Sequence, residues 1–364
     1  MQMAENQRNS SFELLRISSI YGIICLHAFG EFYSTASGGN QLFGAIINSV
    51  FNMGVSIFML ISGYFGIRRT VRKAAELERT ILLYSIADLI CQVIIGNLQT
   101  MTKFDASVYV VKSAFPVLCG KYWYMSSYMI LLILSPYINR IPDILSQKSF
   151  LRLIAVFTIL FSVAPTLFYA EIMKDSGKGV FNMFLLYLIG RYIRKYSNAQ
   201  TNVKITWMVL AGALIVGISG NCFLTLMKKD GGLFCPFGRD LSCTILTGSI
   251  SLFLLFRKWN FRSCLVNAFA RCTFGIYLSE GIARGIIQNY FWDIGKYENA
   301  VILPFIILLY ALLIMFICGG VDCVIRKILG IHGLQKIEAG IHIIQSTVER
   351  ITEIVVGRCC EEEK

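Results

Sequence analysis

An arginine and a histidine stand eleven positions apart in the first apolar stretch of the chain, where ionisable side chains are costly. At 100° per residue this spacing brings Arg16 and His27 to within about 20° of one helical face, about 16 Å apart along the axis. Glu31 falls on nearly the same stripe, so its carboxylate could hold one imidazole nitrogen. Such a histidine suits a general base or a carrier of a transferred group, and a histidine hydrogen-bonded for helix packing is the alternative.

Four cations follow the second apolar stretch within six positions, namely Arg68, Arg69, Arg72 and Lys73. A group of this kind would bind a polyanion such as the phosphates of a nucleotide cofactor. Positive charge that orients the helices against anionic lipid explains it equally well. Gly63, just before the group, allows a close backbone approach or a break in the helix.

Other polar side chains also fall inside apolar stretches. Asp88 in the third stretch is either a relay or a structural acid with its hydrogen bonds satisfied, and Glu280 in the ninth is a further buried acid. Tyr122 and Trp123 open the fourth stretch, in a pattern typical of an interfacial aromatic belt.

The composition places all these residues in a membrane protein. Of 364 residues, 55% are apolar and 15% charged, against about 25% charged in ordinary soluble domains. This excludes a disordered chain, a fibrous repeat and a typical soluble enzyme. The net charge of +12 does not indicate a nucleic-acid partner, because the basic residues form short clusters between apolar stretches. The 12 cysteines have no metal-ligand spacing, so no metal is expected.

The elements that must position the polar residues are about ten transmembrane helices, which predict an all-α polytopic bundle. The predicted spans are 14–34, 42–66, 77–97, 122–140, 150–170, 180–196, 204–226, 240–257, 264–290 and 300–322, with an outer loop or interfacial segment at 98–121. Of the 34 basic residues, 24 fall on one side of this map and 10 on the other. By the positive-inside rule both termini are cytoplasmic.

Two domains are predicted from the change in pattern near the C-terminus. Residues 1–325 form the transmembrane domain, and residues 326–364 form a cytoplasmic tail. Apolar residues recur at helical spacing between 333 and 356, which predicts an amphipathic helix on membrane lipid or against the bundle.

The chain resembles the acyltransferase-3 family of bacterial membrane-bound O-acyltransferases, which modify surface glycans. The resemblance begins at NSSFELLR (9–16), where Arg16 and His27 reproduce the family's Arg-x10-His pattern. It continues in order over roughly 10–325, through GVSIFMLISGYF (54–65), KYWYMSSYMILLILSPYIN (121–139), LYLIGRYIRKY (186–196) and CTFGIYLSEG (272–281).

The resemblance implies transfer of an acyl group, most often acetyl, from cytoplasmic acyl-CoA to a hydroxyl of an envelope glycan, an exported polysaccharide or a lipid-linked intermediate. It makes His27 the catalytic histidine and gives Arg16 a supporting role toward the donor or the site. Arg69 and Arg72 match the family's basic pair, proposed to hold the CoA phosphates.

Acyl transfer also needs a hydrogen-bond donor for the oxyanion, for which Ser62, Tyr122 and Trp123 are candidates. One departure from the family concerns Glu280. Relatives commonly carry a histidine after the Ile-Tyr-Leu of the ninth span, where Ser279 and Glu280 stand here. Either that histidine is dispensable, or Glu280 does a related job, or the substrate differs.

Other functions stay open at this point. In a secondary transporter or flippase of a glycan precursor, the buried arginine, histidine and glutamate would form a substrate path. Inverted repeats would support that reading, and none is evident. A scaffold or sensor without catalysis, and the same fold transferring a succinyl group, are the further alternatives.

Overall fold

The computed structural model describes residues 9–68, 70–169, 171–197, 202–228 and 232–332. It is 80% helical and has no strand in these ranges, which confirms the all-α class. The helices are α1 (Ser10–Phe29), α2 (Gly38–Phe51), α3 (Met53–Phe65), α4 (Val71–Ile94), α5 (Asn97–Thr100), α6 (Lys103–Ala114), α7 (Trp123–Ile138), α8 (Ile141–Ile144), α9 (Gln147–Thr158), α10 (Ala164–Phe168), α11 (Val180–Tyr196), α12 (Val203–Met227), α13 (Cys243–Lys258), α14 (Cys264–Ala270), α15 (Thr273–Tyr290) and α16 (Leu303–His332).

Within the part of the chain that the structure describes, six helical segments are long and apolar enough to cross a membrane. They are Ser10–Phe32, Gly38–Phe65, Gln147–Phe168, Val203–Met227, Pro236–Lys258 and Leu303–Lys327. Each overlaps one of the ten predicted spans, so a multi-pass membrane protein is supported. The other four spans correspond to α4, α7, α11 and α14–α15, and they stay predictions, as does the cytoplasmic side of both termini. Residues 333–364, which hold most of the predicted tail, lie outside the described residues.

Two of the predicted spans contain a break in the helix, and each break lies at a polar residue. The span 42–66 divides at Asn52, whose side-chain amide donates to the carbonyl of Gly238 at 2.6 Å and to Asn48 at 3.1 Å. The span 264–290 divides at Arg271 and Cys272, where the Cys272 amide bonds back to the Phe269 carbonyl in a tight turn. The second break matters most, because it places a cation between α14 and α15.

Helices α3 and α11 pack with their backbones in contact at Gly63, which is the first of the two alternatives that this glycine allowed. A Cβ at Gly63 would overlap the carbonyl oxygen of Tyr187, and one at Gly190 would lie 2.6 Å from the carbonyl oxygen of Leu60. Only glycine leaves room for such an approach. The contact forms the centre of an apolar core that holds α3 against its neighbours.

The segment 98–121 contains α5 and α6, and it is fixed to α4 by a buried ion pair. Lys121 Nζ lies 2.9 Å from Asp88, and the Tyr109 hydroxyl donates to the same carboxylate. Lys121 also donates to the Ser113 hydroxyl at 2.8 Å. Asp88 therefore has its hydrogen-bonding capacity used, which supports the structural role over the relay, and the pair anchors the chain just before α7.

Candidate active site

A cavity of about 510 Å³ lies between α1, α3, α4, α7, the α14–α15 junction and α16. One face of α1 lines it with side chains that recur every three or four residues, namely Glu13, Arg16, Ile20, Ile23 and His27. The expectation that Arg16 and His27 share one helical face is therefore confirmed. The two side chains stand about 16 Å apart along α1, which gives the cavity two chemically different ends.

The middle of the cavity is aromatic. Tyr124 stacks on Tyr128 with ring centroids 6.2 Å apart, and it meets Tyr277 edge-on at 5.9 Å. Phe58, Trp123 and Phe274 complete this wall. Aromatic rings arranged in this way suit an uncharged, extended ligand more than a charged one.

One end of the cavity, here called the cationic end, carries Lys73, Arg271 and Arg326. Arg326 is paired with the buried Asp322 at 2.5 Å. No ion pair joins Lys73 or Arg271 to a carboxylate within the described ranges. This end therefore has positive charge that no carboxylate among the described residues compensates, as a site for an external anion requires.

Arg16 is held in place by its neighbour on the same helix. Its Nη1 donates to both carboxylate oxygens of Glu13, at 2.9 and 3.0 Å, and the side chain of Glu13 is only 7% exposed. A charge-assisted contact of this kind fixes one nitrogen of the guanidinium. The side chain of Arg16, 30% exposed, still reaches the cavity.

At the other end, called the histidine end, three side chains form a chain of contacts. His27 Nδ1 lies 2.8 Å from Glu280 Oε1, and the second oxygen of Glu280 accepts from Arg284 Nε at 2.7 Å. Arg284 Nη1 also donates to the backbone carbonyl of His27 at 3.2 Å. The imidazole is 41% exposed, whereas the Glu280 side chain is 8% exposed.

This arrangement corrects the partner expected for His27. Helix α1 ends at Phe29, and residues Gly30–Phe32 form a tighter 3₁₀ turn, so Glu31 no longer follows the helical stripe. Its carboxylate lies 3.9 Å from Arg284 instead. The carboxylate on the imidazole comes instead from Glu280 on α15.

Of the three oxyanion candidates, the structure places only Trp123 on the cavity wall. The Ser62 hydroxyl donates to the Phe58 carbonyl of its own helix at 2.9 Å. The Tyr122 hydroxyl is 3.5 Å from the Leu278 carbonyl, outside the lining of the cavity. The hydroxyl groups of Ser62 and Tyr122 thus donate to backbone carbonyls and not to a ligand in the cavity.

The basic group after α3 is divided in the same way. Lys73 lines the cavity, whereas Arg68 is exposed and Arg72 pairs with Glu76 on the surface at 2.9 Å. Arg69 lies outside the described residues. Of the described cations in this group, only Lys73 lines the cavity.

Sequence reasoning missed the cations that matter most to the geometry. In the count of basic residues on the two sides of the membrane, Arg271 and Arg326 belong to the cytoplasmic set that orients the helices. Arg284 belongs to the set on the opposite side of the membrane. The i, i+4 spacing of Glu280 and Arg284 on one helix was a sign that they pair. Within the described ranges, no three His, Cys, Asp or Glu side chains come together in a way that could hold a metal ion.

A multi-pass helical protein whose apolar-walled cavity joins a histidine–carboxylate pair to a group of cations has the parts of a membrane transferase. The family model of the acyltransferase-3 domain, described as an acyltransferase domain, matches residues 9–321. The chain therefore belongs to the acyltransferase-3 family, and the resemblance seen in its motifs is confirmed. No curated protein and no solved structure is similar enough to match.

Proposed function

We propose that the protein transfers an acyl group, most simply acetyl, from acyl-CoA to a hydroxyl of an envelope glycan, an exported polysaccharide or a lipid-linked precursor. The observation that carries this proposal is the cavity itself. It joins a histidine with a fixed carboxylate partner to a group of cations, across a wall of aromatic rings.

The cationic end suits the phosphates of the donor. Arg271 and Lys73 have no carboxylate partner in the described ranges, so an incoming phosphate would supply the missing negative charge. The uncharged pantetheine arm would then lie along Tyr124, Tyr128 and Tyr277, with its thioester directed at His27. About 16 Å of α1 separates Arg16 from His27, a span that suits an extended arm of this kind.

Two chemical routes fit the position of His27. In the first, its Nε2 takes the proton of the acceptor hydroxyl as the oxygen attacks the thioester carbonyl, and it returns that proton to the departing CoA thiolate. In the second, Nε2 attacks the thioester and CoA leaves as its thiolate. The acceptor hydroxyl then takes the acyl group from Nε2 and loses its proton to that thiolate or to solvent. In both, a donor must face the developing oxyanion, and of the three oxyanion candidates Trp123 lines the cavity.

The distribution of basic residues supports placement of the cationic end at the cytoplasmic face of the inner membrane. Acyl-CoA would reach the cavity from that side. The histidine end would then lie deeper in the membrane, toward the side where exported glycans are assembled.

The proposal is tested with purified protein, acetyl-CoA labelled in the acetyl group, and an envelope glycan fraction. We expect label in the glycan, with succinyl-CoA as the matched competing donor. If the protein moved glycan across the membrane of vesicles while no acetyl label entered the glycan, the result would instead support a transporter. A burst of labelled protein before acceptor is added would favour the acyl-histidine route over direct transfer.

A further inference from the structure

The histidine end contains more protein contacts than a catalytic histidine alone needs. The carboxylate of Glu280 spends one oxygen on His27 Nδ1, at 2.8 Å, and the other on Arg284, at 2.7 Å. The side chain is 8% exposed and does not line the cavity. A ligand in the cavity could therefore reach Glu280 only by displacing one of these two partners.

We propose that Glu280 and Arg284 are positioning residues that fix the tautomer and the orientation of His27, so that its Nε2 is the reactive nitrogen. The expected effect on kcat rests on acyl transfer as the proposed function. The tautomer and the orientation of His27 do not depend on it. Glu280 thereby has a role that acts through His27, without contact between Glu280 and the substrate.

The tautomer follows from the acceptor chemistry of the carboxylate. A Glu280 that accepts a hydrogen bond from the guanidinium of Arg284 is ionised, and an ionised carboxylate has no proton to give. The close contact at Nδ1 therefore requires the imidazole to donate there. Nε2 then holds the lone pair, and it makes no hydrogen bond to any residue that the structure describes.

Arg284 has two further contacts that a simple counter-ion would lack. It donates to the backbone carbonyl of His27 at 3.2 Å, and its own carbonyl accepts from the Tyr310 hydroxyl of α16 at 3.2 Å. It thus holds α15 against the last turn of α1, just where the regular helix gives way to the turn that contains Glu31. The same side chain fixes both the carboxylate and the backbone that carries the imidazole.

The negative charge of Glu280 also has a chemical consequence. When Nε2 takes a proton or an acyl group, the imidazole becomes a cation, and a carboxylate on Nδ1 stabilises that cation. A neutral amide at the same place has one acceptor oxygen, so it can keep the hydrogen bond from His27 only by giving up the one from Arg284, and it loses this stabilisation. The reactivity of His27 should therefore fall when the carboxylate at position 280 is replaced by an amide.

The first test measures the nucleophilicity of His27 without any acyl transfer. Full-length protein is treated with diethyl pyrocarbonate, and the modification rate at each of the three histidines is followed by peptide mass spectrometry. We expect Glu280→Gln to slow modification of His27 about tenfold, as expected for exchanging a charge-assisted hydrogen bond for a neutral one. The matched control is Glu298→Gln, which makes the same change in a loop outside the cavity.

The second test is the split between kcat and KM. Glu280→Gln should lower kcat by a similar factor and leave KM for acetyl-CoA within about twofold, because Glu280 is expected not to touch the donor. Arg284→Lys, which keeps a charge but cannot make both contacts, should give a smaller loss of the same kind. Melting temperatures of the variants show that each is folded.

The outcomes separate the inference from the proposed function. Slower modification of His27, in a protein that transfers no acyl group even as wild type, would support the positioning role and remove the proposed function. Unchanged modification in both Glu280→Gln and Arg284→Lys would overturn the inference. So would a raised KM with unchanged kcat, since that result places Glu280 on the donor.

Discussion

The two ends of the cavity treat charge in opposite ways. At the histidine end, His27, Glu280 and Arg284 are joined to one another by hydrogen bonds, and little of their capacity is left for a ligand. At the cationic end, Lys73 and Arg271 have no carboxylate partner in the described ranges. The difference indicates that the histidine end is organised in advance to orient a reactive atom, whereas the cationic end is built to receive charge from outside.

The largest effect that would sharpen this comparison concerns the cationic end. We expect the double change Lys73→Ala and Arg271→Ala to raise KM for acetyl-CoA about 100-fold, because each charge-assisted contact to phosphate is worth roughly tenfold or more. The kcat should stay within about threefold of wild type, since neither residue is near His27. Steady-state kinetics with acetyl-CoA measure both values.

A donor without phosphates provides the control for that experiment. With acetyl-pantetheine, wild type and double variant should have similar KM values, because the charges then have nothing to bind. A comparable rise in KM for Arg72→Ala would contradict the account, since it would place the phosphates on the exposed surface beside Arg72 and not in the cavity.

A smaller effect is expected for Glu13 and Arg16, which lie on α1 at the end of the cavity away from His27. Glu13→Gln removes the charge that fixes Arg16, and we expect kcat/KM for acetyl-CoA to fall about tenfold through the freed guanidinium. Arg16→Lys should cost at least as much, because a lysine that pairs with Glu13 has no further nitrogen to offer to a ligand, whereas the guanidinium of Arg16 has two. Equal kinetics for wild type and Glu13→Gln would show that Arg16 needs no support.

The smallest kinetic effect should come from a change that damages neither end. Gly63→Ala forces a methyl group against the Tyr187 carbonyl between α3 and α11, and we expect a loss of about 1–3 kcal/mol in unfolding free energy. The kcat and KM of the folded fraction should be unchanged. Thermal unfolding in detergent measures the first and kinetics the second.

Gly212→Ala is the matched control, because a Cβ there meets nothing within 4 Å. That change in the middle of α12 should be neutral or slightly stabilising, since alanine favours helix over glycine. If Gly63→Ala altered KM selectively, the α3–α11 contact would belong to the site and not to the scaffold.

The sequence was most informative where the geometry is local. The common face of Arg16 and His27 follows from helical periodicity, and the close approach at Gly63 follows from the absence of a side chain. It failed where a helix ends or bends. The stripe from His27 to Glu31 assumed that α1 continues, and the turn after Phe29 breaks it.

The rest depends on contacts between distant segments. His27 and Glu280 are 253 positions apart, so no spacing rule could join them, although Glu280 was already singled out as a buried acid. Arg271 reaches the cavity only because a helix breaks beside it, and Arg326 only because α16 lies against α15. Charges of this kind look the same in a sequence as charges that merely orient the helices.

The most direct test of the central claim compares wild type with His27→Ala in membranes that contain equal amounts of each protein. Acetyl-CoA labelled in the acetyl group is supplied, and label in envelope glycan is counted. We expect incorporation by wild type and a fall of about 100-fold to 10,000-fold in the variant, the range typical of a lost general base. Equal incorporation by both proteins would show that His27 is structural and would contradict the account.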